Sequence, residues 1–182
     1  NRATSLHKAK NKATSPCKTK SRATSLHKVT KKMKSKLFVS VEGIEEPAWL
    51  SRVEDFLSAV LEKRSHGDWE LSVLFCSDDK IRALNRDFRG KDSATDVLSF
   101  ELGTVYEDED GNSRYAAGDI AVSVDFLFKN AADFKVSPDE ELKRLLIHGI
   151  LHLEGMDHGD NHIGDAVYCD MISLQERLLA DF

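Results

Sequence analysis

The sequence predicts an α+β fold, a small mixed β-sheet with helices packed on it and a metal site at the end of a buried central helix. Three observations carry that expectation. Strand-like and helix-like runs alternate from Lys36 onward. Ser137-Pro138-Asp139-Glu140 opens one strongly apolar helix with a capping box and a proline at its first position. Three histidines, His148, His152 and His158, gather at the far end of that helix.

Taken in order, Leu37-Phe-Val-Ser-Val-Glu42 alternates as a strand does. Pro47 suits the first turn of a helix reaching about Arg64, in which Trp49, Val53, Phe56, Leu57, Val60 and Leu61 recur at helical spacing. Trp69 to Cys76 is the second strand, and Ser77 caps a short helix carrying Ile81, Leu84 and Asn85. Asp96 to Leu102 follows as the third strand, Asp108 to Ser113 as a turn or loop, and Gly118 to Val124 as the fourth strand. A helical stretch spans Phe126 to Phe134. The capping-box helix runs to about Glu154, and a last amphipathic helix covers roughly Asp165 to Ala180.

Composition narrows the class. With 182 residues, 41% apolar and 31% charged, the chain suits one domain that buries a real core. No apolar run approaches the roughly 18 residues of a membrane span, and no secretory leader is apparent, so the expected location is cytoplasmic. Cys17, Cys76 and Cys169 form no Cys-x-x-Cys pair, which argues against a disulfide framework or a cysteine zinc knuckle. Charge is segregated: residues 1–36 hold twelve Lys or Arg and no acid, leaving fourteen basic against thirty-one acidic groups, a balance of −17, in the rest. Arg2-Ala-Thr-Ser-Leu-His-Lys8 recurs as residues 22–28, with a looser copy at 12–18. Residues 1–32 are therefore expected to be a disordered or non-native basic extension, and 33–182 the folded domain. A nucleic-acid-binding arm and an organelle transit peptide are the alternatives for that extension.

The chemistry lies in His148-Gly-Ile-Leu-His152-Leu-Glu-Gly155-Met-Asp-His158. Residues four apart on a helix share a face, so His148 and His152 can reach one Zn²⁺. On a continuing helix His158 would lie about 9 Å further along the axis and on another face. Gly155 provides the bend, since glycine just past a helix end takes the left-handed conformation that turns the chain back. Three protein ligands leave a tetrahedral ion one open position, as in catalytic sites. His162 is a further neighbour, read as an exposed histidine rather than a ligand.

The same ligand spacing occurs in zinc endopeptidases with His-Glu-x-x-His-x-x-Gly-x-x-His, whose glutamate is the general base; here Gly149 stands in its place. The run instead resembles the signature of the YbeY family, metal-dependent endoribonucleases of ribosomal RNA maturation, in which His-Gly-x-Leu-His-Leu-x-Gly-x-Asp-His is matched at every fixed position. Asn85-Arg-Asp-Phe-Arg89-Gly-Lys-Asp92-Ser-Ala-Thr95-Asp96-Val-Leu-Ser-Phe100 is similar to a second signature of that family, and Gly118-Asp119-Ile120 to a third. Glu101-Leu102 departs from it, where proline commonly follows the phenylalanine.

The resemblance implies a zinc-dependent, single-strand-specific endoribonuclease acting at the 16S 3′ end and in ribosome quality control. It implies one Zn²⁺ on His148, His152 and His158, Arg89 as a bidentate phosphate clamp, and Asp157 as a base or as an orienting partner for a ligand histidine. Asp92, Thr95 and Asp96 are expected to brace the loop after the short helix. Single-stranded ribosomal RNA and a ribosomal subunit or ribosomal proteins are the expected partners, with no membrane. Two other classes stay open: a zinc hydrolase of a non-nucleic substrate, and a non-catalytic ribosome-assembly factor with a structural metal. The charge of −17 makes the core a poor general magnet for RNA, so Phe88-Arg89-Gly90-Lys91 is the expected local positive spot.

Overall fold

The computed structural model describes residues 33–158 and 170–182, with the basic repeat of residues 1–32 outside them. Strands β1 (Lys36–Glu42), β2 (Trp69–Cys76), β3 (Val97–Glu107) and β4 (Ser113–Ser123) form one sheet in the order β1-β2-β4-β3. β1 and β2 are parallel, β2 and β4 are parallel, and β3 runs antiparallel to β4, so the sheet is mixed as expected. Strict alternation in β2 buries Trp69, Leu71, Val73 and Phe75. In register, Leu71 lies opposite Leu37 on one side and Gly118 on the other, which makes β2 an interior strand.

Helices α1 (Val53–Lys63), α2 (Asp78–Arg89), α3 (Val124–Phe134), α4 (Pro138–Leu153) and α5 (Asp170–Leu179) complete the described residues. The second half of α4, Leu145 to Leu153, buries every residue but His148 and His152, the signature of a helix end enclosed by protein. Leu146, Ile147, Ile150 and Leu151 are fully buried, each contributing about 1.5–3 kcal/mol relative to exposure. Its seat on the sheet is close: a Cβ at Gly149 would stand 2.7 Å from Ile120 Cδ1 of β4. The position that bears a glutamate in the peptidases is here taken up by helix-to-sheet packing.

Boundaries differ from expectation for local reasons. The segment after Pro47 starts as a 3-10 turn, Leu50–Arg52, with Leu50 N–H donating to Pro47 O at 3.0 Å, and becomes α1 only at Val53. α2 is a full twelve residues, capped by Ser77 Oγ accepting from Lys80 N–H at 3.4 Å and closed by Gly90 in the left-handed region. β3 and β4 run on as a hairpin well past Leu102 and begin before Gly118. Asp108 holds that turn by accepting from the Asn112 and Asp110 amides and from Arg114 Nε at 2.9 Å, and these donors keep its carboxyl well below the usual range. The extension was not readable as strand because its residues 101–105 are exposed on both faces, leaving no alternation to detect. At α4 the Ser137 half of the capping box forms, Oγ accepting from Glu140 N–H at 3.1 Å, while the Glu140 carboxylate turns to Arg144 instead.

Candidate metal centre

α4 presents His148 and His152 one turn apart, with ring centroids separated by 4.6 Å. It then ends in a Schellman motif: Gly155 N–H donates to His152 O at 2.9 Å and Met156 N–H to Leu151 O at 3.0 Å, with Gly155 at φ +80°. Met156 packs on the core and fixes the direction of the return. The cap residue Glu154 is clamped by Arg64, through Nε at 2.9 Å and Nη2 at 2.6 Å, and by His66 Nε2 at 2.9 Å. The turned chain brings His158 within 5.1 Å of His148 and 5.3 Å of His152, centroid to centroid. One ring nitrogen from each of the three lies within 4.8 Å of the other two.

The donor set fits a cation. His148 Nδ1 lies 2.8 Å from Gln175 Oε1, and His152 Nδ1 lies 3.0 Å from Met156 O. Both acceptors are carbonyl oxygens, so each Nδ1 carries a proton and each neutral ring turns a lone pair outward on Nε2. Those two Nε2 atoms are 3.0 Å apart. Lone pairs at that separation repel unless a positive centre lies between them. Burial keeps the rings neutral: it pushes the His148 pKa down to about 4 against the Gln175 bond, with His152 and His158 adding to the depression. His152 is lowered by burial and next by His158.

Arg89, the last residue of α2, is exposed, and its charge reaches His152, lowering that pKa further. Asp157 is exposed beside His158 and acts on His152 in the opposite sense. Asp96 acts on His148 from the start of β3, where Oδ1 accepts from Val97 N–H at 2.8 Å and Oδ2 from Asn130 Nδ2 at 3.2 Å. Asp92 instead grips Arg82 at 2.8 and 3.0 Å and braces the loop after α2. Thr95 Oγ1 donates to Asp96 at 3.1 Å. His162 and the first residues of the expected last helix, 165–169, lie outside the described residues.

Two parts of the site went unread in the sequence. Gln175, fully buried, projects from α5 between Met171, Ile172 and Leu178 on that helix's apolar face. A polar residue at a core-facing helical position is a signal that periodicity alone offers. The Met156 carbonyl had no signal, since every residue has one.

A family profile described as Endoribonuclease YbeY matches residues 28–182. An endoribonuclease YbeY of Treponema pallidum is 48% identical over 146 residues, covering 80% of this chain and 89% of the relative. That of Treponema denticola is 50% identical over 131 residues, covering 72% and 82%. That of Borreliella afzelii is 43% identical over 147 residues, covering 80% and 94%. Among solved structures, the solution structure of a Thermotoga maritima protein matches with a TM-score of 0.54 at 32% identity, covering 80% of this chain and 87% of that one. Its fold, its histidine run and these relatives agree, and the chain belongs to the YbeY family.

Proposed function

We propose that this chain is a zinc-dependent endoribonuclease that cuts single-stranded RNA in ribosomal RNA maturation, at the 16S 3′ end and in ribosome quality control, with one Zn²⁺ held by His148, His152 and His158. Family membership makes it a nuclease, a hydrolase acting on RNA phosphodiester bonds. The metal reading rests on the two facing Nε2 atoms, 3.0 Å apart. Imidazole donors suit zinc, and three of them leave a position open toward substrate. A bound ion there supplies Lewis acidity to a phosphoryl oxygen and to water.

Arg89 meets the scissile phosphate with its planar fork and offsets charge developing on it. Asp157, next to His158 in sequence, accepts a proton or orients a ligand histidine. Phe88 is 69% exposed, its ring leaning edge-on against Phe100 with centroids 5.2 Å apart. An aromatic face next to a phosphate-binding arginine suits unstacked bases, which favours single-stranded RNA. The acidic remainder of the chain favours delivery of the substrate by a ribosomal subunit or ribosomal protein rather than capture by charge alone. Among the described residues no helix is long and apolar enough to cross a membrane, and a cytoplasmic location fits an rRNA substrate. Gly149 packed on Ile120 counts against a peptidase, and the nuclease family counts against both a non-nucleic hydrolase and a purely structural metal.

Incubating the zinc-loaded protein with single-stranded and duplex ribosomal RNA, beside a chelated control, tests the reading. Cleavage confined to the single strand and abolished by chelation is the expected outcome. Cleavage untouched by chelation removes the metal from the reaction, and turnover of small amides without RNA cleavage would favour the non-nucleic hydrolase.

A further inference from the structure

The hydrogen bond that holds His148 is the last of a relay. Gln175 Oε1 faces His148 Nδ1 at 2.8 Å, and on the same amide Nε2 faces Glu176 Oε1 at 3.0 Å. A carboxylate only accepts, so the amide has one allowed orientation, NH₂ toward Glu176 and C=O toward the histidine. Glu176 is itself fixed by Arg144 Nε at 3.3 Å. The same guanidinium is anchored by Glu141 at 2.7 Å and Glu140 at 2.9 Å. Arg144 stands one turn before His148 on α4, so the chain of bonds leaves α4, passes through α5 and returns to α4.

We propose that Gln175 is a positioning residue for the metal centre: oriented by Glu176 and Arg144, its carbonyl locks His148 in the Nδ1–H tautomer and so presents Nε2 as a ligand. This rests on His148 being a ligand, as proposed above. The proton of a free histidine side chain prefers Nε2, the nitrogen that must be bare here, so the tautomer has to be imposed. Gln175 is 0% exposed, so its carbonyl is withheld from bulk solvent. A neutral amide does this without bringing a second carboxylate beside Glu176. The polar relay also explains why α5 carries a glutamine on its buried face, where an apolar residue would pack at no desolvation cost.

The test uses the full chain with ¹⁵N-labelled histidine and two readouts. One is the His148 tautomer in the zinc-free protein, from its ring-nitrogen shifts; the other is zinc affinity by competition with a chromophoric chelator. The wild type is expected to hold Nδ1–H. Gln175→Met keeps the volume and removes the acceptor; it should let the Nε2–H form appear and weaken zinc binding by roughly 10–100-fold. Gln175→Glu retains an acceptor, so it should keep the tautomer and restore zinc affinity to within a few-fold, while melting lower because two carboxylates then adjoin. Glu176→Ala, a change at a half-exposed surface that spares the core, frees the amide to rotate and should shift the tautomer part of the way. Wild-type tautomer and affinity in both Gln175→Met and Glu176→Ala overturn the proposal. Absence of zinc binding in the wild type would instead overturn the ligand assignment, leaving the tautomer measurement to judge Gln175 by itself.

Discussion

The histidine-bearing end of α4 and the end of α2 that bears Phe88 and Arg89 do opposite things with their side chains. At the first, the rings of His148 and His152 are largely withdrawn from solvent, and each Nδ1 is committed to a carbonyl before any ion arrives. At the second, Phe88, Arg89, Gly90 and Lys91 all lie exposed just where the helix stops. A small ion needs ligands fixed to a fraction of an ångström, whereas a flexible polymer needs contacts that can follow it. On the function proposed above, the molecule divides preorganisation and adaptability between two helix ends.

The largest effect belongs to the buried side. His148→Ala, His152→Ala and His158→Ala should each drop zinc content from near one per chain to a small fraction, and RNA cleavage with it, because two imidazoles make a weak site. His162→Ala should keep its zinc. Metal analysis with full occupancy in any of the first three would break the assignment.

On the exposed side, Arg89→Ala should leave zinc content intact while slowing cleavage by about 10²–10³-fold. Arg89→Lys should recover only part of that, since the ammonium keeps the charge and loses the fork. Equal rates at equal zinc occupancy would take Arg89 out of the reaction. Phe88→Ala should act on KM for single-stranded RNA, raising it by about tenfold with kcat little changed, as loss of one stacked base would. A fall in kcat alone would place Phe88 in the chemistry instead.

Acid should sharpen the contrast. His148 in the fold has a pKa of about 4, against an ordinary 6.5 in the unfolded chain. Below pH about 6.5 the unfolded chain therefore takes up a proton that the fold refuses, and stability falls as pH drops through that window toward 4, by roughly 3 kcal/mol at most. Melting of the zinc-free protein followed from pH 7 to 4 checks this, with His148→Gln expected to flatten the slope. The smallest effect is for the basic repeat. Removing residues 1–32 should leave the melting temperature nearly unchanged and remove only RNA affinity that vanishes with salt. A drop of many degrees would mean that the repeat docks.

What could be read in advance follows from where a pattern has a period. α4 and its three histidines were legible because capping, apolar content and ligand spacing are all local. The hairpin extension of β3 and β4 was not, because residues exposed on both faces carry no alternation, and its organiser, Asp108, looks like any turn acid. Gly149 could be read as a missing base but not as a contact with Ile120, which lies twenty-nine positions away in sequence and next to it in space. Gln175 belongs to the same class, its meaning set by a helix that packs from the far end of the chain.

The placement of the histidines at the C-terminal end of α4 has a further consequence, for the order of assembly. The aligned peptide dipoles of that sixteen-residue helix make this end its negative pole. A cation is welcome there and a phosphate is not. The net charge of −17 beyond residue 36 works in the same direction, against the pull of Arg89 nearby. On the function proposed above the ion comes first, and its charge would turn the same helix end from a barrier to RNA into a point able to hold the strand.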